Sequence, residues 1–333
     1  MKILAFTNGS DSKWWRLESP ARLINKKTRH QVVVKDKWGW FDCLKDSSYR
    51  VLVGQTFISP KMVTFLQARK IKVIYELDDA ISDYDEKRVV LSKVFRNLSK
   101  VDLFETIKRC DAVTVTTKNI KKQVRQFYTG PIYILPNYID LDWWGKPPRK
   151  SRGKKVKIGW FGSTSHWEDL ERILKPAIEE VLSKFKNAVF FTHSFSKEIF
   201  KNIDKKRITF IDPCRIDEWK KFLKQSNWDI AVSPLIKDTF NSCKSPIKYF
   251  EFSAIKAPGV YSPTAYKGVV KHQKTGFIAN SLDEWVKYLS LLIENQELRL
   301  KMGEQAYLDV KKKYQIKNHY LEWIRVFEKT ARQ

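Results

Sequence analysis

Short apolar runs alternate with amphipathic stretches along most of this chain, and the alternation predicts an α/β protein built on parallel sheets. Lys2–Phe6, Val32–Val34, Val51–Val53 and Val73–Tyr75 are brief aliphatic runs of the kind buried on both faces of a parallel sheet. Between them, Trp14–Ile24 reads as a helical segment interrupted at Pro20, and Ser59-Pro60 opens a helix through Arg69. Lys87–Cys110 reads as helical, Ala112–Val115 and Ile132–Leu135 as strands. Thr117–Phe127 carries Ile120, Val124 and Phe127 on one side and Lys118, Lys121, Lys122 and Arg125 on the other, the pattern of a basic amphipathic helix. That face either meets phosphates of nucleic acid or lipid, or is simply solvated.

From Trp143 to Lys155 proline, glycine and basic residues follow one another with no apolar period, which marks a linker. A second alternating unit then begins. Val156–Trp160, Ala188–Thr192, Ile208–Ile211, Asp229–Val232 and Gly259–Tyr261 read as strands. Ser165 with Glu168, and Ser281 with Glu284, form capping-box patterns for helices reaching about Phe185 and Asn295. Asp217–Gln225, Leu298–Tyr314 and Ile316–Thr330 complete the helices. Strand and helix alternating in this way describe doubly wound sheets, whose functional residues gather at the carboxyl ends of the strands.

Three stretches carry candidate chemistry. Glu76, Asp78 and Asp79 follow a strand directly; they suit a metal, a base, a cation partner or a cap. Gly162, Ser163 and Thr164 form a small loop between a strand and a helix start, a plausible phosphate cradle without the full dinucleotide fingerprint or a P-loop lysine. His166, in the first turn of that helix, is either catalytic or structural. In Asn241–Gly259, Ser245-Pro246 reads as an N-cap and first helical residue, so the helix through Ala254 presents an anion site. Lys248 and Glu251 share a face three residues apart, and Lys244 lies just ahead. Two ammonium groups, a helix N-terminus and a carboxylate suit a diphosphate joined to a diol-bearing sugar.

With 333 residues there is room for two domains, and 43% hydrophobic and 14% aromatic content fit a globular protein. No apolar run approaches membrane-spanning length, and the N-terminal strand is too brief for a signal peptide. Cys43, Cys110, Cys214 and Cys243 lack metal-type spacing and read as reduced thiols of a cytoplasmic protein. Charge changes the picture most. Sixty-three Lys and Arg against 37 Asp and Glu leave a net +26, which favours a polyanionic partner, nucleic acid or an anionic membrane surface. Aromatic residues mixed with basic ones (Trp14, Trp15, Arg16, Trp38, Trp40, Trp143, Trp144) suit stacking on an extruded base.

Several of these stretches resemble one family. Ile158-Gly159-Trp160-Phe161-Gly162-Ser163, the run from Lys244 to Glu251, Ala257-Pro258-Gly259-Val260 and Gly276-Phe277-Ile278 occur in the order and spacing of the nucleotide-sugar domain of retaining GT-B glycosyltransferases. Leu135–Asp140 is similar to that family's interdomain segment, with Tyr138 in place of a glycine, and Asp111–Thr117 to the strand before it. The resemblance covers most of 110–315. It implies an α/β GT-B fold: an acceptor-binding Rossmann-like domain over 1–145, a linker over 146–155, a nucleotide-sugar domain over 156–315, an interdomain cleft, and a C-terminal helix over 316–333 crossing back.

The resemblance also implies the roles. Glu251 would hold the donor ribose, and Lys244 and Lys248 the diphosphate, with Gly162, Ser163, Thr164 and Ser245 alongside. Lys197 would be a further phosphate contact, and the loop Asp212–Arg215, including Arg215, would hold the base. Cys243 replaces the family's sugar-contacting glutamate, which leaves the sugar open. The donor would be a nucleoside diphosphate sugar, most often a UDP-sugar, used without metal and with retention. Glu76, Asp78 or Asp79 would orient the acceptor hydroxyl, and Trp14, Trp15, Arg16, Lys121 and Arg125 would contact the acceptor. The expected acceptor is a hydroxylated base in DNA, as in bacteriophage DNA glycosyltransferases, with a monomeric protein in the host cytoplasm. The alternatives are a peripheral membrane or cell-envelope enzyme acting on a lipid-linked or polysaccharide acceptor, and a non-catalytic nucleic-acid binder on the same scaffold.

Overall fold

In the computed structural model, residues 1–7, 12–36, 41–55, 58–81, 100–150, 153 and 155–333 are described. Trp38, Trp40, residues 8–11 and 56–57, and most of the helix expected from Lys87 lie outside the described residues. The chain divides into two compact units. Unit 1 comprises Met1–Asp140, Cys243–Ser245 and Gln315–Gln333; unit 2 comprises Leu141–Ser242 and Pro246–Tyr314.

Unit 1 is built on a six-stranded sheet of β1 (Lys2–Thr7), β2 (Gln31–Asp36), β3 (Tyr49–Gln55), β4 (Lys72–Leu77), β5 (Ala112–Val115) and β6 (Ile132–Ile134). The order is β2-β1-β3-β4-β5-β6, with every pairing parallel. Ile3, Leu4, Val51, Leu52, Val73, Ile74, Val113 and Val115 are fully buried, because helices cover both faces of such a sheet. Ser59 and Thr117 cap the helices Pro60–Ala68 and Lys118–Arg125, each side chain accepting from a backbone N–H three residues on.

Pro20 does not interrupt its helix. One π-turn, Trp14–Glu18, runs straight into the α-helix Ser19–Lys27, with the Ser19 N–H donating to the Trp14 carbonyl. Pro20 therefore falls at the start of the α-helical segment, where a missing N–H costs little. The C-terminal helix Tyr320–Ala331 packs on Ser19–Lys27 and on β3 and β4. The tail enters beside Ile139, whose carbonyl accepts from Ile316 N at 2.8 Å, and His319 stacks on Tyr138 at 3.9 Å.

Unit 2 repeats the plan with β7 (Val156–Gly159), β8 (Ala188–His193), β9 (Ile208–Ile211), β10 (Ile230–Ser233), β11 (Gly259–Tyr261) and β12 (Phe277–Ile278). The order is β12-β11-β10-β7-β8-β9, again all parallel. Gly159 has to be glycine, since a Cβ there would lie 2.0 Å from the fully buried Trp228 ring. The stretch read as a linker is tied to this unit: Lys220 and Lys224 donate to the carbonyls of Trp143 and Trp144, and Lys150 to that of Trp228.

Two helix starts differ from expectation. Ser165 bonds the Ser163 hydroxyl at 2.7 Å instead of capping, so the chain passes through a 3₁₀ turn (Thr164–His166), Trp167–Asp169 and a π-turn (Leu170–Leu174) before the helix Lys175–Lys184. The helix Ile247–Ala254 begins after Pro246, which occupies the N-cap itself. Ser245 is no cap because its hydroxyl accepts from Asn137 Nδ2 at 2.8 Å within unit 1. Ser281 does cap the helix Leu282–Glu294, but the Glu284 carboxylate turns to Asn280 N, not to Ser281. Among the described residues no helix is long and apolar enough to cross a membrane.

Candidate functional site

In unit 2 the candidate residues gather beyond the carboxyl ends of the strands. Glu251 is 2% exposed on the inner face of Ile247–Ala254. One turn earlier, Lys248 Nζ lies 2.9 Å from Glu251 Oε2, the pairing that a three-residue helical spacing permits. The same ammonium stands 5.6 Å from the Trp219 ring and 5.9 Å from Phe161, whose rings stack at 4.2 Å. Phe161 leads directly into Gly162, Ser163 and Thr164, with Ser163 exposed.

The loop after β9 reaches this group. Burial pushes the Cys214 thiol up and Glu218 adds to that, while Lys248 opposes both; Glu251 adds a smaller push. Arg215 opens the helix Ile216–Ser226 through its backbone N–H, which donates to Glu218, and its side chain is exposed, 3.4 Å from Asp217. Lys197 is exposed on the turn Ser194–Lys197, its ammonium 5.9 Å from the Phe210 ring.

Unit 1 sorts the carboxylates that stand together in the sequence. Glu76 is not presented as a catalytic group: it is 2% exposed and its Oε1 lies 2.6 Å from Arg16 Nε, while Thr114 donates to Oε2. Arg16, expected at an acceptor surface, is 1% exposed and also donates to the Leu135 carbonyl and Asn137 Oδ1. Trp14 and Trp15 are buried with it, and Trp144 is buried in unit 2, because an aromatic ring gains more from a core than from solvent. Trp143 is half-buried beneath the Lys220 ammonium at 3.8 Å. These rings therefore do not form the open stacking surface expected for a base. Arg125 likewise turns back to its own chain, donating to the carbonyls of Tyr128 and Thr129, while Lys121 is half-buried.

Asp79 holds Lys244, with both carboxylate oxygens 2.9 Å from Nζ, so the partner of this lysine is a carboxylate, as Glu251 is the partner of Lys248. Asp78 is half-buried. Burial and the neighbouring Asp79 charge push its carboxyl up to about 6, against a hydrogen bond from Ser12; Glu76 and Arg16 act more weakly. The Asp78 backbone and Ser12 are steadied by Thr116 and Gln55, at the ends of β5 and β3. Among the described residues no group of three His, Cys, Asp or Glu is arranged to hold a metal.

The sequence reading left Asp169, Phe161 and Trp219 out of the site. Asp169 is 1% exposed and accepts from His166 Nδ1, Asn241 Nδ2 and Ile236 N. Its only local signal is the three-residue spacing from His166.

No protein-family model matches the sequence, and no curated protein matches it. Solved structures do. Anabaena HepE in complex with UDP and glucose superposes with a TM-score of 0.67 at 12% identity, over 99% of this chain and 100% of that one. Sucrose-phosphate synthase from Thermosynechococcus elongatus gives 0.67 at 10% identity, over 99% of each chain. The fold is GT-B. TarM gives 0.62 at 13% identity over 86% of this chain, which spans 57% of TarM. At these identities the likeness is one of fold, and the two six-stranded parallel sheets are its GT-B elements.

Proposed function

We propose that this GT-B chain is a glycosyltransferase that moves a sugar from a nucleoside diphosphate sugar to a hydroxyl acceptor, with retention. The observation that carries the reading is the buried Glu251 carboxylate paired with Lys248, whose ammonium stands 5.9 Å from the Phe161 ring that leads into Gly162–Thr164. A buried carboxylate that only accepts hydrogen bonds suits a vicinal diol, as in a ribose. An ammonium beside it suits a diphosphate, whose charge grows as the glycosidic bond breaks. The complexes of HepE with UDP, and with UDP-glucose, support uracil as the base.

In the proposed reaction the bond from the anomeric carbon to the phosphate oxygen breaks, and its electron pair leaves with the nucleoside diphosphate. The acceptor oxygen bonds to the same face of that carbon, and its proton passes to the departing phosphate. Lys248 and the backbone N–H groups of Gly162–Thr164 stabilise the new charge, so the step is independent of added metal. Asp78 is the carboxylate of unit 1 left to orient the acceptor, since Glu76 and Asp79 are paired.

The net charge of +26 supports an anionic acceptor. With Trp14, Trp15 and Trp144 buried, charge is the main support for DNA as acceptor among the described residues, and an anionic envelope glycan or lipid-linked acceptor is the stronger reading. A TarM mutant in complex with Fondaparinux, α-GlcNAc-glycerol and UDP supports the same direction. The test incubates the protein with a panel of nucleotide sugars, with and without chelator. Anionic polyol phosphate, lipid-linked glycan on anionic vesicles and hydroxymethylated DNA are offered separately, and products are read by mass spectrometry. Donor-dependent mass gain on one of the first two is expected; gain on DNA alone reverses the acceptor reading. The absence of both nucleotide release and mass gain with every donor overturns the enzyme reading.

A further inference from the structure

The His166–Asp169 pair lies outside the roles given so far, and its surroundings are those of a presented group, not a surface cap. Asp169 Oδ1 is already taken by Ile236 N and Asn241 Nδ2, both at 2.8 Å. Its other oxygen, Oδ2, holds His166 Nδ1 at 2.7 Å. A buried carboxylate with this many donors acts as an acceptor here, so the Nδ1 atom of His166 carries a proton. The free edge of the ring, Nε2, is on the opposite side, and the His166 side chain keeps 17% of its surface exposed where Asp169 keeps 1%.

The ring is also clamped. Trp160 meets it edge-on at 6.2 Å, and a Cβ on Gly162 would stand 3.2 Å from His166 Cδ2. Glycine at 162 thus lets the cradle loop close over the imidazole. The pair belongs to the same group as Glu251. Buried Tyr266, which bonds Ser233 at the end of β10, has its phenol pushed up by burial and further by both Glu251 and Asp169. Both carboxylates therefore act on one buried tyrosine, which bonds Ser233 at the end of β10.

We propose that His166, held by Asp169, donates its Nε2–H to the terminal phosphate of the nucleoside diphosphate, as a second fixed cation of the leaving-group site. The proposal rests on the nucleotide-sugar reading above. With Asp169 on one edge and a diphosphate on the other, imidazolium is the form that fits, both nitrogens donating. No proton is transferred in this contact. Asp169 is a positioning residue, and its work is to keep Nδ1–H away from the phosphate so that Nε2 faces it.

The test titrates UDP and UMP into the full chain by calorimetry, for the wild type and for His166→Ala, His166→Gln and His166→Asn. His166→Ala loses about ten-fold or more in UDP affinity, the worth of one charge-assisted hydrogen bond, and less than about two-fold for UMP, which lacks the second phosphate. The amide of His166→Gln reaches the Nε2 position and restores UDP affinity in part, whereas the shorter His166→Asn does not. In Asp169→Asn, the imidazole ¹⁵N shifts of His166 leave the Nδ1–H pattern and the preference for UDP over UMP narrows. Equal losses for UDP and UMP, or no loss in His166→Ala, overturn the proposal while wild-type UDP binding leaves the donor reading standing. A wild type that binds no nucleoside diphosphate overturns both.

Discussion

The Arg16–Glu76 pair tests the assignment of these residues to the core of unit 1. Arg16 donates from Nε to Glu76 at 2.6 Å and from Nη1 to the Leu135 carbonyl at 2.6 Å and Asn137 Oδ1 at 2.9 Å, while its buried Nη2 has no partner among the described residues. Removing the carboxylate in Glu76→Ala leaves a guanidinium in the core with neutral acceptors alone. Breaking one partner of such a pair costs about 3–5 kcal/mol. For a domain of this size that lowers the melting temperature by about 6–20 °C, at about 2–4 °C per kcal/mol. The double variant Arg16→Met with Glu76→Leu removes both charges and recovers most of the loss, because apolar groups of similar volume replace the pair at little cost. Differential scanning calorimetry of wild type, Arg16→Met, Glu76→Leu and the double variant reads the coupling directly. A Glu76→Ala protein that melts within about 2 °C of wild type, or singles and double that simply add, refutes the reasoning. Loss of transfer at unchanged stability would return Glu76 to the chemistry.

Other expectations follow from single contacts. Lys248→Ala lowers transfer by about 10²–10³-fold, the usual cost of losing one fixed donor to developing charge; initial rates with a UDP-sugar check it, and an unchanged rate refutes it. Gly303→Ala destabilises by about 1–3 kcal/mol, because its Cβ would stand 2.2 Å from the Lys256 carbonyl and force the helix Gln296–Lys313 outward; urea unfolding measures this. Asp78→Asn carries a pH signature. A carboxyl held up to about 6 binds its proton more tightly in the folded chain than in the unfolded one, so wild-type stability falls as pH rises from about 4 to about 6 and the cost stays above that. The asparagine variant lacks this cost, so its melting temperature gains on wild type between pH 4 and pH 7; a constant difference across that range contradicts the shift.

Much of the architecture was legible because its causes are local. Ala112–Val115, Ile208–Ile211 and Gly259–Tyr261 begin and end where the β-branched and aromatic runs do; Thr114 is buried among them, and Thr209 of the edge strand β9 is exposed. Ser59, Thr117 and Ser281 cap through contacts three residues away, and Lys248 meets Glu251 at the same range. Side chains this close along the chain meet whenever the helix forms.

Residues whose partners lie far away could not be sorted this way. Glu76, Asp78 and Asp79 look alike in sequence, yet Glu76 pairs with a residue 60 positions off and Asp79 with one 165 positions off, leaving Asp78 to titrate near 6. Trp14, Trp15 and Arg16 read as an aromatic and basic surface, and the π-turn instead carries them into the core. Asp169 showed no sign of its Asn241 and Ile236 partners. The sequence by itself determined the alternating strands and helices and the Lys248–Glu251 pair, because spacing along a regular element sets those contacts. Only the tertiary structure decided which charges are sequestered and which remain presented, because burial and pairing depend on side chains that folding brings in from elsewhere in the chain.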